Sequence, residues 1–139
     1  MKQKLLYIEH KSGKRDRGPA WIGLATLSRS GQTVYFNGRA LKRSGGQGTS
    51  GNHYCLESGD EFWVSGPKKD GSDRHWAGRG QVLIEARAVA EYLALRRLTK
   101  LDPKHHRVTS EVSATDISKF NDLENQTLKQ GDAGPRVSE

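Results

Sequence analysis

Residues 70–80, with the sequence DGSDRHWAGRG, contain several side chains that could do chemistry. Asp73 and His75 are two positions apart, so their side chains share a face if this segment is extended. A carboxylate beside an imidazole orients a general base and raises its pKa. The pair suggests a small hydrolase, but no Ser or Cys stands at a recognisable spacing for a nucleophile. Catalysis by Asp73 and His75 is therefore the alternative hypothesis.

The same stretch also has the composition of a binding loop. Cationic side chains surround Trp76, and two glycines near it would let a ligand approach the backbone closely. Basic groups interleaved with an aromatic residue suit phosphates and stacked bases. A hairpin in which Trp76 merely caps the core is the structural alternative. The candidate binding residues here are Lys68, Lys69, Arg74, Trp76 and Arg79.

Positive charge is concentrated in the first third of the chain. The formal net charge is +7, and residues 1–48 alone hold ten Lys or Arg against two acidic residues. Such clustering is typical of a face that binds a polyanion, although basic residues on solvated turns give the same pattern. The candidate binding residues in this region are Arg15, Arg17, Arg39, Lys42 and Arg43.

Two other patterns carry little weight. Residues 46–51 match G-x-G-x-x-G, but a dinucleotide site needs this motif at the start of a helix, and here it leads into NHYCLE. His53 and Cys55 would share a face of a strand, yet no second pair completes a four-ligand zinc site. A three-ligand site with His10 or His75 is the remaining metal hypothesis. We expect neither a metal nor a cofactor.

Short apolar runs bounded by Gly, Pro, Asn, Asp and Ser predict strands joined by tight turns. Asn37-Gly38 predicts a type I′ hairpin turn, because both residues tolerate positive φ. The pattern predicts strands over 5–11, 20–27, 32–36, 39–43, 52–57, 61–66 and 81–85, and one amphipathic helix over 86–97. This order predicts a mainly β (α+β) fold with one C-terminal helix. The architecture would be a small, strongly bent antiparallel sheet or a partly open SH3-like barrel, with an α+β roll as the alternative.

The apolar residues of these elements form the predicted core. We expect at least two of Trp21, Trp63 and Trp76 to be largely buried, since large aromatics in a small domain are usually core. The other predicted core residues are Leu6, Ile8, Ile22, Leu24, Val34, Phe36, Leu41, Tyr54, Leu56, Val64, Val82, Ile84, Val89 and Leu93.

The composition changes near residue 99. Phe120 is the only aromatic residue after that point, and polar residues dominate. This predicts one domain over 1–98 and a polar, flexible tail over 99–139 that is dispensable for folding. Cys55 is the only cysteine, so no internal disulfide forms, and no apolar run suits a signal peptide or a membrane span. We expect a cytoplasmic protein that does not bind membranes.

Several runs resemble a group of short bacterial proteins of no established function, some of which carry a deoxyxylulose-phosphate synthase label. The runs are GPAWIG, TVYFNGRAL, EFWVSGPKKDGSDRHWAG and VLIEARAVAEYL, and the resemblance covers about residues 5–97. A thiamine-diphosphate synthase is several times longer and needs a G-D-G motif followed by an Asn to hold magnesium, and this chain has no G-D-G. No catalytic residues are therefore carried over. The resemblance implies a stand-alone bacterial domain.

These observations favour a non-enzymatic binding module. Its basic first third and the loop over residues 68–76 would contact an acidic partner, with nucleic acid as the first candidate. A small hydrolase that uses Asp73 and His75 is the alternative, and a protein–protein interaction module is a further one. The sequence does not predict the oligomeric state.

Overall fold

The computed structural model describes residues 1–11, 18–44, 51–74 and 80–121. Within these ranges, one helix, α1 (Val89–Arg96), follows a 3₁₀ turn over Ala86–Ala88, and a second 3₁₀ turn spans Ile117–Phe120. No helix of the described ranges is long and apolar enough to cross a membrane. The strands are β1 (Lys2–Lys11), β2 (Ala20–Leu27), β3 (Thr33–Phe36), β4 (Arg39–Arg43), β5 (His53–Cys55), β6 (Glu61–Ser65), β7 (Val82–Glu85) and β8 (His106–Thr109).

Strands β1 to β6 form a closed antiparallel barrel in which each strand pairs with its neighbours in the chain. β1 closes the ring, because residues 2–9 pair with β2 and residues 7–11 pair with β6. Closure leaves no free strand edge within this ring. The prediction of a small β-barrel with one short helix is confirmed, with the ring closed rather than partly open.

β2 has three neighbouring strands. One edge pairs with β1, and the other edge is shared between β3, which pairs with Thr26 and Leu27, and β7, which pairs in parallel with Trp21 and Ile22. β7 in turn pairs in parallel with β8. The last two strands therefore form a wing that branches from the barrel at β2.

Leu24 lies between the part of β2 that pairs with β3 and the part that pairs with β7. Two side chains form hydrogen bonds with its backbone N–H and carbonyl groups. The N–H of Leu24 donates to Glu85 Oε1 at 2.9 Å, and Arg87 Nη2 donates to the Leu24 carbonyl at 2.9 Å. Arg87 Nε also donates to Glu85 Oε2 at 2.7 Å. Because an unpaired buried backbone group is costly, Glu85 and Arg87 replace the strand that is missing at this point.

Alternation along β1 and β2 divides the apolar residues between two cores. One core fills the barrel, and the other lies between the outer face of β1 and β2, the wing and α1. Both faces of β1 are thus buried, which explains its continuous apolar run LLYI. The barrel core contains Leu6, Ile8, Trp21, Ala25, Val34, Phe36, Leu41, Cys55, Phe62 and Val64. The outer core contains Leu5, Tyr7, Ala20, Ile22, Val82, Ile84, Ala88 and Tyr92.

The predicted core includes most of the residues of the two observed cores. The prediction differs from the structure in which side chains of α1 are buried. Tyr92 lies one residue off the apolar stripe, yet it is fully buried, whereas Val89 and Leu93 are half-buried. The reason is that α1 is only eight residues long, so contact with the wing decides which side chain it buries. Trp21 is buried, Trp63 is half-buried, and Trp76 lies outside the described residues.

Residues 99–121 pack against the barrel, where the composition predicts a free tail. β8 extends the wing, and Phe120 is 0% exposed in a third cluster with Tyr35 and Ala40 on the outer face of β3 and β4. The pairing of β8 with β7 and the burial of Phe120 are enough to hold this segment on the barrel. Neither feature can be recognised from a composition that is mostly polar. Residues 122–139 of the predicted tail lie outside the described residues.

The turn between β3 and β4 helps to hold this segment. Asn37 and Gly38 both have positive φ, 51° and 77°, as a type I′ turn requires. The N–H of Ser113 donates to Asn37 Oδ1 at 2.9 Å, and the N–H of Gly38 donates to Thr115 Oγ1 at 2.8 Å. Residues 110–121 therefore form a strap across the outer face of this hairpin.

Replacing the buried aromatic of the strap tests whether it belongs to the fold. Phe120→Ala leaves a cavity against Tyr35 and Ala40, so we expect a loss of roughly 3–5 kcal/mol in the free energy of unfolding. Val108→Ala is the control, because Val108 is 49% exposed and its truncation should change stability little. Urea unfolding measures both. Small and equal losses of stability in Phe120→Ala and Val108→Ala would show that the strap contributes nothing to stability.

The Glu85–Arg87 pair gives a second prediction. Glu85→Ala removes the acceptor of the Leu24 N–H, so we expect a loss of roughly 2–3 kcal/mol in the free energy of unfolding. Arg87→Ala should cost less, since its side chain is half-exposed. The double variant should be less destabilised than the sum of the two, because each residue holds the other in place. Strictly additive losses in urea unfolding would contradict the pairing.

Candidate anion-binding cleft

A cleft of about 630 Å³ separates the loop at residues 68–74 from residues 96–107, which follow α1 and enter β8. This volume is in the range of small-ligand sites. We call the two sides the loop wall and the helix wall. The cleft is lined by Asp70, Gly71, Ser72, Arg96, Leu98, Lys100, Leu101, Asp102, Pro103, His105 and His106.

The end of α1 and the following turn shape the helix wall. Arg97 adopts a left-handed conformation with φ 56°, and the N–H of Leu98 donates to the Leu93 carbonyl at 2.9 Å, so the helix stops there. At the next turn Asp102 Oδ1 accepts the N–H of Lys104 at 2.9 Å. The chain then enters β8 at His106, whose register partner in β7 is Val82. This path returns His106 to the side of α1.

Two aspartates fold the loop wall. Asp73 Oδ1 accepts the N–H of Lys68 at 2.6 Å, and Asp70 Oδ1 accepts both the N–H and the hydroxyl of Ser72, at 2.9 and 2.6 Å. Gly71 has a φ of 79°, and a Cβ there would lie 2.5 Å from the guanidinium carbon of Arg96. Only glycine satisfies both the backbone conformation and the close approach of Arg96.

Arg96 is held in position where the two walls meet. Its Nη1 donates to the Tyr92 hydroxyl at 3.1 Å, and its guanidinium carbon lies 5.6 Å from the centre of the Tyr92 ring. Its Nε is buried and has no hydrogen-bond partner within the described ranges. The cation is therefore oriented by its own helix, with donor capacity left over.

Hydrogen bonding continues from Arg96 through Tyr92 to His106. The Tyr92 oxygen lies 3.2 Å from His106 Nε2. Because Arg96 can only donate, the Tyr92 oxygen accepts from it. Burial, reinforced by the charges of Arg96 and His105, lowers the pKa of His106 and favours the neutral imidazole. In the neutral tautomer that carries its proton on Nδ1, Nε2 accepts the Tyr92 proton.

The two segments that form the cleft carry more basic than acidic residues, while the side chains that line it include two cations, Arg96 and Lys100, and two carboxylates, Asp70 and Asp102. Residues 96–107 carry five Lys or Arg against one Asp, and residues 68–74 carry three against two. Lys68, Lys69 and Lys100 form no ion pair with any residue of the described ranges. The nearby carboxyl groups of Asp70 and Asp73 offset part of the charge of Lys68, so the excess positive charge of this region lies on Lys69 and Lys100.

The structure gives Asp73 and Arg74 architectural contacts. Besides its bond to the Lys68 N–H, Asp73 has a buried Oδ2, and burial raises the pKa of its carboxyl group. Arg74 Nη2 donates to the Gly18 carbonyl at 2.8 Å, which ties the loop wall to the chain just before β2. His75, the predicted partner of Asp73, lies outside the described residues.

The basic residues of β4 lie away from the cleft. Two strands, β3 and β2, separate β4 from β7 in the sheet order. Arg39 lies over the Phe62 ring at 5.7 Å, while Lys42 and Arg43 are at the opposite end of the strand. The structure therefore does not join them to Lys68, Lys69 and the cleft. Of the other candidates, Arg15, Arg17, Trp76 and Arg79 lie outside the described residues.

The helix wall is not predicted by the sequence. The pattern places Arg96 at a helix end and Lys100 and His106 in a polar tail, apart from Lys68 and Lys69. The run from residue 96 to residue 107 does carry a signal, because it contains five of the chain's 23 basic residues and two adjacent histidines. The sequence does not show that this run lies beside the loop wall, because that position depends on the pairing of β8 with β7.

The histidine candidates for a metal site lie on the two strands that flank β6, where His10 and His53 are both register partners of Phe62. His53 Nδ1 is 2.8 Å from Asn52 Oδ1, and burial lowers the pKa of His53 to about 4. His10 instead stacks on Phe62 and lies 3.3 Å from Asp60 Oδ2. Among the residues that the structure describes, no three His, Cys, Asp or Glu side chains are grouped to hold a metal ion.

Comparison of this chain with known protein families, with curated proteins and with solved structures finds no match. The interpretation of the cleft therefore depends on the chemistry of its own side chains.

Proposed function

We propose that the protein is a non-enzymatic binding module that holds an anionic partner, with nucleic acid as the first candidate, in the cleft between residues 68–74 and 96–107. The observation that carries this proposal is the guanidinium of Arg96, which lines the cleft and is oriented by its hydrogen bond to the Tyr92 hydroxyl. A guanidinium fixed in this way suits the oxygens of a phosphate group.

The arrangement favours contacts to phosphate over contacts to bases. Lys68, Lys69 and Lys100 are exposed and extend the positive surface on both sides of Arg96. Lysine contacts of this kind neutralise phosphates and release counterions, which makes affinity depend strongly on salt. The described residues contain no helix placed to read a groove, so sequence selectivity should be weak.

The cellular location is part of the same proposal. We infer a cytoplasmic protein, because Cys55 is the only cysteine in the sequence. Nucleic acids and acidic proteins are both available partners there. The two partners are distinguished by the binding experiment that follows.

Charge reversal on the two walls tests the site. The variant carrying Lys68→Glu and Lys100→Glu should bind single-stranded DNA roughly tenfold or more weakly at low salt, because two phosphate contacts become repulsive. Both positions are exposed, so the fold should be retained. The matched control carries Lys42→Glu and Arg43→Glu on β4 and has the same net charge. Its affinity for single-stranded DNA should fall roughly threefold or less.

Fluorescence titrations with single- and double-stranded DNA and RNA, at low and moderate salt, provide the measurement. Wild-type affinity should fall steeply with salt for every nucleic acid. Equal losses in the two charge-reversal variants would remove the cleft as the site. Absence of binding to all of them at low salt would exclude nucleic acid and leave an acidic protein as the partner.

A further inference from the structure

We propose that His106 is a second anion contact in the cleft, and that it takes up a proton when a phosphate group of the partner binds beside Arg96. This inference rests on the proposed function. It adds a residue to the anion site, and it specifies that the bound group is a phosphate oxyanion. It also makes binding stronger as the pH falls.

His106 lies at the point where the cleft meets the hydrogen-bonded chain from Arg96. It lines the cleft while being only 7% exposed. Its Nε2 faces the Tyr92 hydroxyl, and its Nδ1 makes no hydrogen bond to any described residue. One ring nitrogen is thus fixed by the protein, and the other is left to donate to a ligand.

Charged groups reach His106 from each element packed around it. Arg96 belongs to α1, and His105 and Asp102 belong to its own segment. On the loop wall, the carboxylates of Asp70 and Asp73 act on Tyr92, the hydrogen-bond partner of His106. The cationic neighbours and burial outweigh Asp102, which is exposed and already paired with His105 at 3.2 Å. Without a bound anion, His106 therefore stays neutral.

A bound phosphate changes this balance. Its negative charge beside Arg96 offsets the repulsion that keeps His106 neutral, so the imidazolium becomes favourable. The proton comes from solvent and binds at Nε2, which then donates to the Tyr92 oxygen. The Tyr92 hydroxyl rotates its own proton away from His106. Nδ1–H keeps its role as a donor, now on a cationic ring, and this strengthens its bond to a phosphate oxygen.

Thermodynamic linkage gives the sign of the effect. If binding raises the pKa of His106, the complex holds more protons than the free protein, and affinity rises as the pH falls through that interval. The probe is an unlabelled thymidine tetranucleotide without a terminal phosphate, because its phosphodiesters stay ionised throughout. Calorimetric titration in two buffers with different ionisation enthalpies counts the protons taken up.

We expect the full-length protein to take up roughly half a proton near pH 6.5, where a histidine normally titrates. His106→Gln should abolish most of this uptake and weaken binding only a few-fold, because Arg96 remains. His10→Gln is the control, since His10 stacks on Phe62 in the barrel and does not line the cleft, and this variant should retain most of the uptake. Binding with no uptake, or uptake that survives in His106→Gln, would overturn the proposal.

Nuclear magnetic resonance of the wild-type histidine rings provides a second measurement that does not depend on a variant. Free His106 should be neutral with its proton on Nδ1, and saturation with the tetranucleotide should raise its pKa. An unchanged His106 pKa in a saturated complex would overturn this inference and leave the proposed function standing. Absence of any tetranucleotide binding at low salt would contradict the proposed function as well.

Discussion

A strand has two edges, and the arrangement of β2 with three partners determines the rest of this structure. β1 occupies one edge completely, so β3 and β7 must share the other, and the backbone of Leu24 falls between them. Glu85 and Arg87 bond that backbone with their side chains. This arrangement closes the barrel through β3 and also lets β7 leave the ring. Without the shared edge there would be no wing to receive β8.

The wing has a direct consequence for the cleft. β8 lies beside β7 in parallel, which places His106 next to α1 and within hydrogen-bond distance of Tyr92. The loop wall is fixed independently, through Arg74 on the Gly18 carbonyl and Asp73 on the Lys68 N–H. The two walls are thus anchored separately, and Arg96 and Lys100 line the cleft between them together with Asp70 and Asp102.

Much of the fold could be predicted from sequence, because strand alternation and turn chemistry are local signals. Asn37-Gly38 and the apolar runs of β2 and β4 are examples, and both strands match the predicted ranges. The cleft could not be predicted, because it joins residues 68–74 to residues 96–107 through the non-local pairing of β7 with β2 and β8. The burial of Tyr92 and Phe120 was missed for the same reason, since each is decided by a distant surface rather than by its own helical pattern.

The central claim is that this cleft, rather than the basic strand β4, binds the anionic partner. Its most direct test is a map of backbone amide chemical-shift changes as single-stranded oligothymidine is added to the full-length protein at low salt. The account predicts that the largest changes occur at Gly71, Ser72, Arg96 and Lys100, on the two facing walls. Largest changes at Lys42 and Arg43, with the cleft amides unaffected, would contradict it.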